Sequence, residues 1–142
     1  MKSRGSCLCG KIRYEVNKTS DNIDHCHCTF CQKYHGAAFG TYIEPVTPDN
    51  FSWLEGEELV GRYQSSSHSA RLFCSVCGSA LVAEINGGEV LAPTAATLDG
   101  EVAAAEAAHM FWQSKAGWCE VNDDLPKYDT YPPSMDEFTP TD

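Results

Sequence analysis

A chain of 142 residues is long enough to bury a hydrophobic core without disulfides, and we expect one domain over residues 1–142. Its 20 acidic and 10 basic residues give a formal net charge of −10, which disfavours nucleic acid as a partner because the phosphates would be repelled. The N-terminus lacks the apolar core of a secretion signal, and no segment approaches the roughly 20 apolar residues that span a bilayer, so we expect a cytoplasmic protein with no membrane partner.

The sequence predicts a mainly β fold of short antiparallel strands. Polar and apolar residues alternate over 11–16, as in a strand with one buried face, and further candidate strands lie at 38–43, 59–63, 79–85 and 90–92. The glycines of Asn86-Gly87-Gly88 predict a hairpin turn between the last two strands. For EVAAAEAAH at 101–109, helix and strand both remain open, since alanine favours a helix and the neighbouring segments favour strands. From about residue 126 we expect an irregular acidic tail.

Eight cysteines in a reducing cytosol are better explained as metal ligands or reactive thiols than as disulfides. Seven of them form three groups, and two groups share one design, in which two thiols precede a glycine that lets the backbone turn under a metal ion. These groups are Cys7-Leu8-Cys9-Gly10 and Cys74-Ser75-Val76-Cys77-Gly78. Together they predict a closed, structural zinc site made by four thiolates.

The third group is the run HCHCTFC over residues 25–31, which offers the thiols of Cys26, Cys28 and Cys31. Three protein ligands with one open position are typical of a reactive zinc ion, whereas four protein ligands are typical of a structural one. Two interpretations of the fourth position therefore remain open. It is either free for a substrate or filled by a further side chain, for which the candidates are His25, His27 and Cys119.

An open zinc ion held by three thiolates favours a soft external ligand. We therefore expect a small-molecule thiol as partner, and its addition to a small aldehyde, or the reverse, as the reaction. The aldehyde oxygen needs a proton donor, and we expect His27 to act there as a catalytic residue. Other polar side chains close to the cluster, which a plain polar loop would also explain, are Gln32, Lys33, Tyr34 and His35. Arg71 is a candidate clamp for a substrate carboxylate, with a surface ion pair as the alternative.

The spaced motifs resemble those of a known family. In chain order they are GSCLCGKIRYEV, CHCTFCQKYHGAAFGTYI, RLFCSVCGSAL, TLDG, HMF, SKAGW, DDLP and YP. A chain with these motifs in this order resembles the glutathione-dependent formaldehyde-activating enzyme family, also called the GFA or CENP-V/GFA domain.

The resemblance implies a fold, two zinc ions and a reaction. The fold is an Mss4-like arrangement of short antiparallel strands organised around zinc. The implied ligands are Cys7, Cys9, Cys74 and Cys77 for a structural zinc ion and Cys26, Cys28 and Cys31 for a catalytic one. The implied activity is that of a carbon-sulfur lyase, which condenses formaldehyde with glutathione to S-hydroxymethylglutathione.

A non-enzymatic function is the competing interpretation. In it, the chain is a zinc-stabilised module of Mss4-like fold that binds a protein partner through its sheet, and the second zinc site is closed. An open zinc ion should bind added thiol and lose metal to a chelator faster than a four-thiolate site, which separates the two interpretations. No oligomeric state is predicted.

Overall fold

The computed structural model describes residues 2–18, 20–102, 105–133 and 135. Within these residues the chain forms ten strands and one α-helix. The strands are β1 (Lys2–Ser6), β2 (Arg13–Asn17), β3 (Asn22–Cys26), β4 (Gly40–Ile43), β5 (Phe51–Glu55), β6 (Val60–Gln64), β7 (Ser69–Cys74), β8 (Ala80–Ile85), β9 (Val90–Pro93) and β10 (Ala105–Met110), and the helix is α1 (Thr29–His35). The prediction of a mainly β fold is therefore confirmed.

The strands form three small sheets in the described part of the chain. Their strand orders are β1-β2-β5, β10-β3-β4 and β6-β7-β8-β9. All neighbouring strands are antiparallel except β10 and β3, which are parallel. The expectation of antiparallel strands is thus wrong for this one pair, which brings two distant segments side by side.

The predicted strands at 11–16, 59–63, 79–85 and 90–92 correspond to β2, β6, β8 and β9, with ends that differ by one or two residues. The strand predicted at 38–43 begins only at Gly40, because α1 and the turn after it occupy the preceding residues. Of the segment at 101–109, residues 103 and 104 lie outside the described residues, and Ala105–Met110 is a strand, so the helical alternative is wrong there.

The turn between β8 and β9 matches the predicted hairpin. Ile85 pairs with Val90, and the chain reverses through residues 86–89. Asn86, Gly87 and Gly88 have φ angles of 52°, 68° and 92°, a left-handed backbone that glycine adopts without a steric cost. The glycines therefore allow this tight reversal.

Two apolar clusters hold the sheets together. Strand β7 shows how they form, since Ala70, Leu72 and Cys74 are buried in alternation with less buried neighbours. The larger cluster contains the fully buried side chains of Ile12, Tyr14, Val16, Cys74, Leu81 and Val82. The smaller cluster includes Cys26, Cys31, Tyr42, Ala92 and Met110. The larger cluster thus includes Cys7 and Cys74, and the smaller cluster includes Cys26 and Cys31.

The segment after Pro126 lies along β10. The N–H of His109 donates to the carbonyl of Pro126, and the N–H of Tyr128 donates to the carbonyl of His109, each at 2.9 Å. Asp136, Glu137 and Asp142 of the predicted acidic tail lie outside the described residues. Among the described residues, no helix is long and apolar enough to cross a membrane.

Candidate functional site

Four thiols meet where the β1–β2 and β7–β8 turns come together. The sulfur atoms of Cys7, Cys9, Cys74 and Cys77 all lie within 4.8 Å of one another, so this four-sulfur cluster could hold a metal ion. The sulfurs of Cys7 and Cys9 are 3.5 Å apart, and those of Cys9 and Cys74 are 3.9 Å apart. The cluster ties the N-terminal hairpin to the middle of the chain.

The two turns have the same local geometry. The N–H of Gly10 donates to the carbonyl of Cys7 at 3.0 Å, and the N–H of Gly78 donates to that of Cys74 at 2.8 Å. Both glycines have positive φ angles, 77° and 81°. This turn directs backbone N–H groups at sulfur, as shown by the Cys77 N–H, which donates to Cys74 Sγ at 3.4 Å. Such donors stabilise the thiolate form that a metal ion requires.

A second cluster contains three sulfurs. Cys26 ends β3, Cys28 caps the N-terminus of α1, and Cys31 lies in the first turn of that helix. Their sulfur atoms lie within 4.8 Å of one another, so this three-sulfur cluster could also hold a metal ion. The proposed fourth ligands, His25, His27 and Cys119, are not part of it. Among the described residues, the cluster thus consists of three sulfurs and no histidine.

Helix α1 favours an ionised sulfur in this cluster. Cys28 Sγ accepts a hydrogen bond from the N–H of Cys31 at 3.3 Å, which makes Cys28 the N-cap of the helix. Hydrogen bonds from the Cys26 and Cys31 thiols, and then this backbone N–H and the charge of Arg71, hold the pKa of the Cys28 thiol far below its ordinary value. The helix was not predicted, because its sequence TFCQKYH has no amphipathic period long enough to recognise.

A cavity of about 410 Å³ opens beside the three-sulfur cluster. Cys26, Cys28 and Cys31 all line it, whereas the four cysteines of the other cluster do not. The rest of the lining combines apolar side chains, such as Ile43, Ile85 and Met135, with polar side chains from several strands and turns. The two clusters therefore differ within the described part of the chain, because the three-sulfur cluster faces a cavity of a size that suits a small organic ligand and the four-sulfur cluster does not line it.

Two polar side chains from other strands, Tyr42 and Arg71, contact Cys31. The hydroxyl of Tyr42 lies 3.1 Å from Cys31 Sγ, and Arg71 Nη1 donates to the same sulfur at 3.6 Å and to the Tyr42 hydroxyl at 3.4 Å. His35 Nε2 lies 3.0 Å from the Tyr42 hydroxyl. Arg71 makes no ion pair with a described residue, so the alternative of a surface ion pair is not found.

We expect His35 to make stability depend on pH. Burial, followed by the charge of Arg71, lowers the pKa of His35 to about 4, whereas an unfolded histidine titrates near about 6.5. Between the two pKa values the unfolded chain binds a proton at His35 and the folded chain does not, so stability is lost as the pH falls from about 6.5 towards 4. Urea unfolding at several pH values should show that His35→Gln loses less stability across this window than the native chain. Parallel pH profiles for the two proteins would contradict the assignment.

His27 lies in a buried chain of histidines and not in the cavity lining. Its Nε2 is 2.8 Å from His109 Nδ1, and His109 Nε2 is 2.8 Å from a carboxylate oxygen of Asp123. The hydrogen bond with His109 lowers the pKa of Asp123 to about 2, so the carboxylate is an acceptor and His109 Nε2 carries the proton. The other ring nitrogen of His27, Nδ1, is buried and has no hydrogen-bond partner among the described residues.

The other predicted donors are bound elsewhere or point away. Gln32 donates to the carbonyls of His27 and Ser114, and Tyr34 donates to the carbonyls of Leu72 and Val82. Lys33 is exposed, and neither it nor Gln32, Tyr34 or His35 lines the cavity. The hydrogen bonds of Gln32 and Tyr34 therefore hold α1 in place, whereas Arg71 and Tyr42 are the polar residues that contact the cluster at Cys31.

Comparison with known proteins agrees with these motifs and this fold. The family model described as glutathione-dependent formaldehyde-activating enzyme matches residues 2–114. A protein of Halomonas elongata named after the same family is 30% identical over 130 residues, which cover 85% of this chain and 82% of that protein. An uncharacterized lyase of Schizosaccharomyces pombe is 29% identical over 85 residues, which cover 60% of this chain and 59% of that protein.

A crystal structure of a Rhodobacter sphaeroides protein has the same fold, with a TM-score of 0.58 and 24% identity over 69% of this chain and 89% of that one. The match to the family model extends from β1 to the residues that follow β10, and so includes both cysteine clusters and the strands that hold them. The chain therefore belongs to the glutathione-dependent formaldehyde-activating enzyme family.

Proposed function

We propose that this protein is a zinc-dependent carbon-sulfur lyase. It forms or cleaves the adduct of a small-molecule thiol with a small aldehyde, and glutathione with formaldehyde, which gives S-hydroxymethylglutathione, is the pair that the family name supports. The observation that carries the proposal is the position of the three-sulfur cluster in the wall of the cavity. A relative named as a lyase supports the same class of reaction.

The donor sets fit zinc. All-sulfur sites with close, ionisable thiols are typical of this metal. We assign one zinc ion to the four-sulfur cluster as a structural ion and one to the three-sulfur cluster as a catalytic ion. When bound at the open cluster, zinc would supply a position that keeps an incoming thiol deprotonated near neutral pH.

Arg71 and Tyr42 control charge and protons at this cluster. Arg71 places a positive charge beside Cys31, which offsets the negative charge of the thiolates and of an incoming one. Burial, followed by the charge on Cys31, raises the pKa of Tyr42 well above its ordinary value, so its hydroxyl keeps its proton. Because Tyr42 lines the cavity, we propose that its hydroxyl donates a hydrogen bond to the aldehyde oxygen. In this arrangement Nε2 of His35 donates to the oxygen of the Tyr42 hydroxyl.

We assign His27 a positioning function and not proton transfer. Burial, followed by the charge of His109, lowers the pKa of His27 to about 4, so its ring is neutral at neutral pH and does not face the cavity. The backbone N–H of His27 donates to the carbonyl of Met110 at 2.9 Å, and the backbone carbonyl of His27 accepts from the Gln32 side chain at 2.8 Å. These bonds fix the backbone between Cys26 and Cys28.

The protein-binding alternative requires a closed second site. The described residues provide three ligands and a cavity at that position, which favours a small-molecule reaction over a purely structural zinc ion.

Replacing Arg71 by glutamine should weaken thiol binding about 10-fold, because a charged hydrogen bond to the thiolate cluster is lost. Zinc should also be released faster to a chelator from the three-sulfur cluster. Arg4→Gln is the matched control, since Arg4 is an exposed arginine paired with Glu15 on another sheet. Equal thiol affinity and equal zinc release in the two variants would contradict this function of Arg71.

The direct test of the proposed function is exchange NMR with labelled formaldehyde and glutathione. The protein should accelerate the exchange between free and thiol-bound formaldehyde above the uncatalysed rate. Protein that contains two zinc ions per chain and gives no acceleration, with glutathione or with a panel of other thiols, would contradict a lyase function.

A further inference from the structure

Asp24 provides a negative charge in the cavity, on the same strand as the three-sulfur cluster. It lies on β3 two residues before Cys26, so both side chains point to the same face of the sheet. Their Cα atoms are therefore about 7 Å apart, from the rise of a strand. Asp24 also pairs in register with Tyr42, and all three side chains line the cavity. Asp24 thus stands close to the position where a thiol would bind.

The carboxylate of Asp24 makes no hydrogen bond or ion pair with a described residue. The charge of the neighbouring His25 acts on it, but the His25 ring is hydrogen-bonded to Thr41 and Glu106. The other glutamate or aspartate of the cavity lining, Glu84, is held by Arg62 at 3.2 Å. Asp24 is only partly buried, so water hydrates its carboxylate in the free protein, and an ammonium group of a ligand would replace that water with a charged hydrogen bond.

Arg71 provides a positive charge in the cavity that Asp24 also lines. Its Nη1 donates to Cys31 and Tyr42 and its Nε donates to Ser65, but no described carboxylate meets it. The lining of the cavity therefore combines a carboxylate and a guanidinium with the three sulfurs. This arrangement matches a thiol that carries both an ammonium group and a carboxylate.

We propose that Asp24 binds the ammonium group of the thiol substrate, and so makes the cavity selective for zwitterionic thiols of the amino-acid or small-peptide class. The inference rests on the proposed function and specifies its substrate. Asp24 acts on affinity for the thiol and takes no part in bond making.

The test compares glutathione with N-acetylglutathione, which differ only in the ammonium group. Their dissociation constants are measured by the sulfur-to-metal absorption of protein loaded with cobalt(II), so that binding is observed without turnover. The native protein should bind glutathione about 10-fold more tightly. Asp24→Asn should weaken glutathione binding to the level of the acetylated thiol and leave the latter unchanged. Glu84→Gln is the matched control, since it removes a cavity carboxylate that already has Arg62 as a partner, and it should keep the native preference.

Each outcome decides the inference. Equal affinity of the native protein for the two thiols overturns it without any variant, and so does an Asp24→Asn protein that keeps the preference. Binding of neither thiol overturns it together with the proposed function. Preferential binding of glutathione without acceleration of adduct exchange contradicts only the lyase function and supports the assignment of Asp24.

Discussion

Replacing Cys31 by serine should reduce the zinc content from two ions to one per chain and lower the rate of adduct exchange at least about 100-fold. Substitutions that only orient a zinc ligand commonly cost about 10–100-fold, and loss of a ligand from a site with three protein donors should exceed that range. The fold should persist, because the larger apolar cluster and the four-sulfur cluster do not include Cys31.

Cys119→Ser is the matched control for this experiment. Its thiol lies outside both clusters, so the variant should keep two zinc ions and the native rate. Zinc content by mass spectrometry, exchange NMR and circular dichroism are measured on both proteins. A Cys31→Ser protein with two zinc ions and native exchange would contradict the assignment of the open cluster as the reactive centre.

The parts of the fold that could be predicted are those with a local signal. Alternation over residues 11–16 and the glycine pair after Ile85 indicate β2 and the β8–β9 hairpin, because both patterns reflect neighbouring residues. Strand β3 was missed, since Asp24 and His25 make its sequence polar, and His25 is buried only through the pairing of β3 with β10 and β4. The parallel pairing of β3 with β10 joins distant segments, which no local pattern indicates.

The candidate site follows the same division. Thiols two or three residues apart are brought together by a single turn, so the grouping of the cysteines could be predicted, and their function as zinc ligands stays a prediction. Arg71 is 40 residues from Cys31 in sequence, and His109 is 82 residues from His27. Those contacts depend on strand pairing, so no local pattern in the sequence indicates that Tyr42 lies beside Cys31 or that His109 lies beside His27.

The four-sulfur cluster and the three-sulfur cluster have different surroundings. Cys74 is fully buried in the larger apolar cluster, and Ser79 donates to Cys77 and lowers its pKa to about 5. The three-sulfur cluster has a cavity on one side and Arg71 beside Cys31. A metal ion in the four-sulfur cluster would be enclosed by four sulfurs, whereas one in the three-sulfur cluster would have a position for a further ligand.

Replacing Cys74 by serine should therefore unfold the protein at 37 °C and release both zinc ions. Zinc binding contributes roughly 10–16 kcal/mol to the folding of small zinc domains, which is comparable with the roughly 5–15 kcal/mol by which whole domains are stable. Cys74 and Cys9 are 65 residues apart in sequence, so their site closes a long loop as well as filling a core position. Loss of this ligand removes both contributions and leaves a polar hydroxyl in an apolar cluster.

The variant Ser79→Ala tests the surroundings of the four-sulfur cluster without removing one of its cysteines. This variant keeps all four sulfurs and removes two hydrogen bonds of the Ser79 hydroxyl, one of 3.2 Å to Cys77 and one of 2.9 Å from the N–H of Leu8, so it should lose about 2 kcal/mol and keep two zinc ions. Thermal unfolding and zinc content measured on both variants test the contrast. A Cys74→Ser protein that unfolds at the native temperature would show that the four-sulfur cluster does not hold the fold together, and a Ser79→Ala protein as unstable as Cys74→Ser would place the stability in the turn and not in the metal.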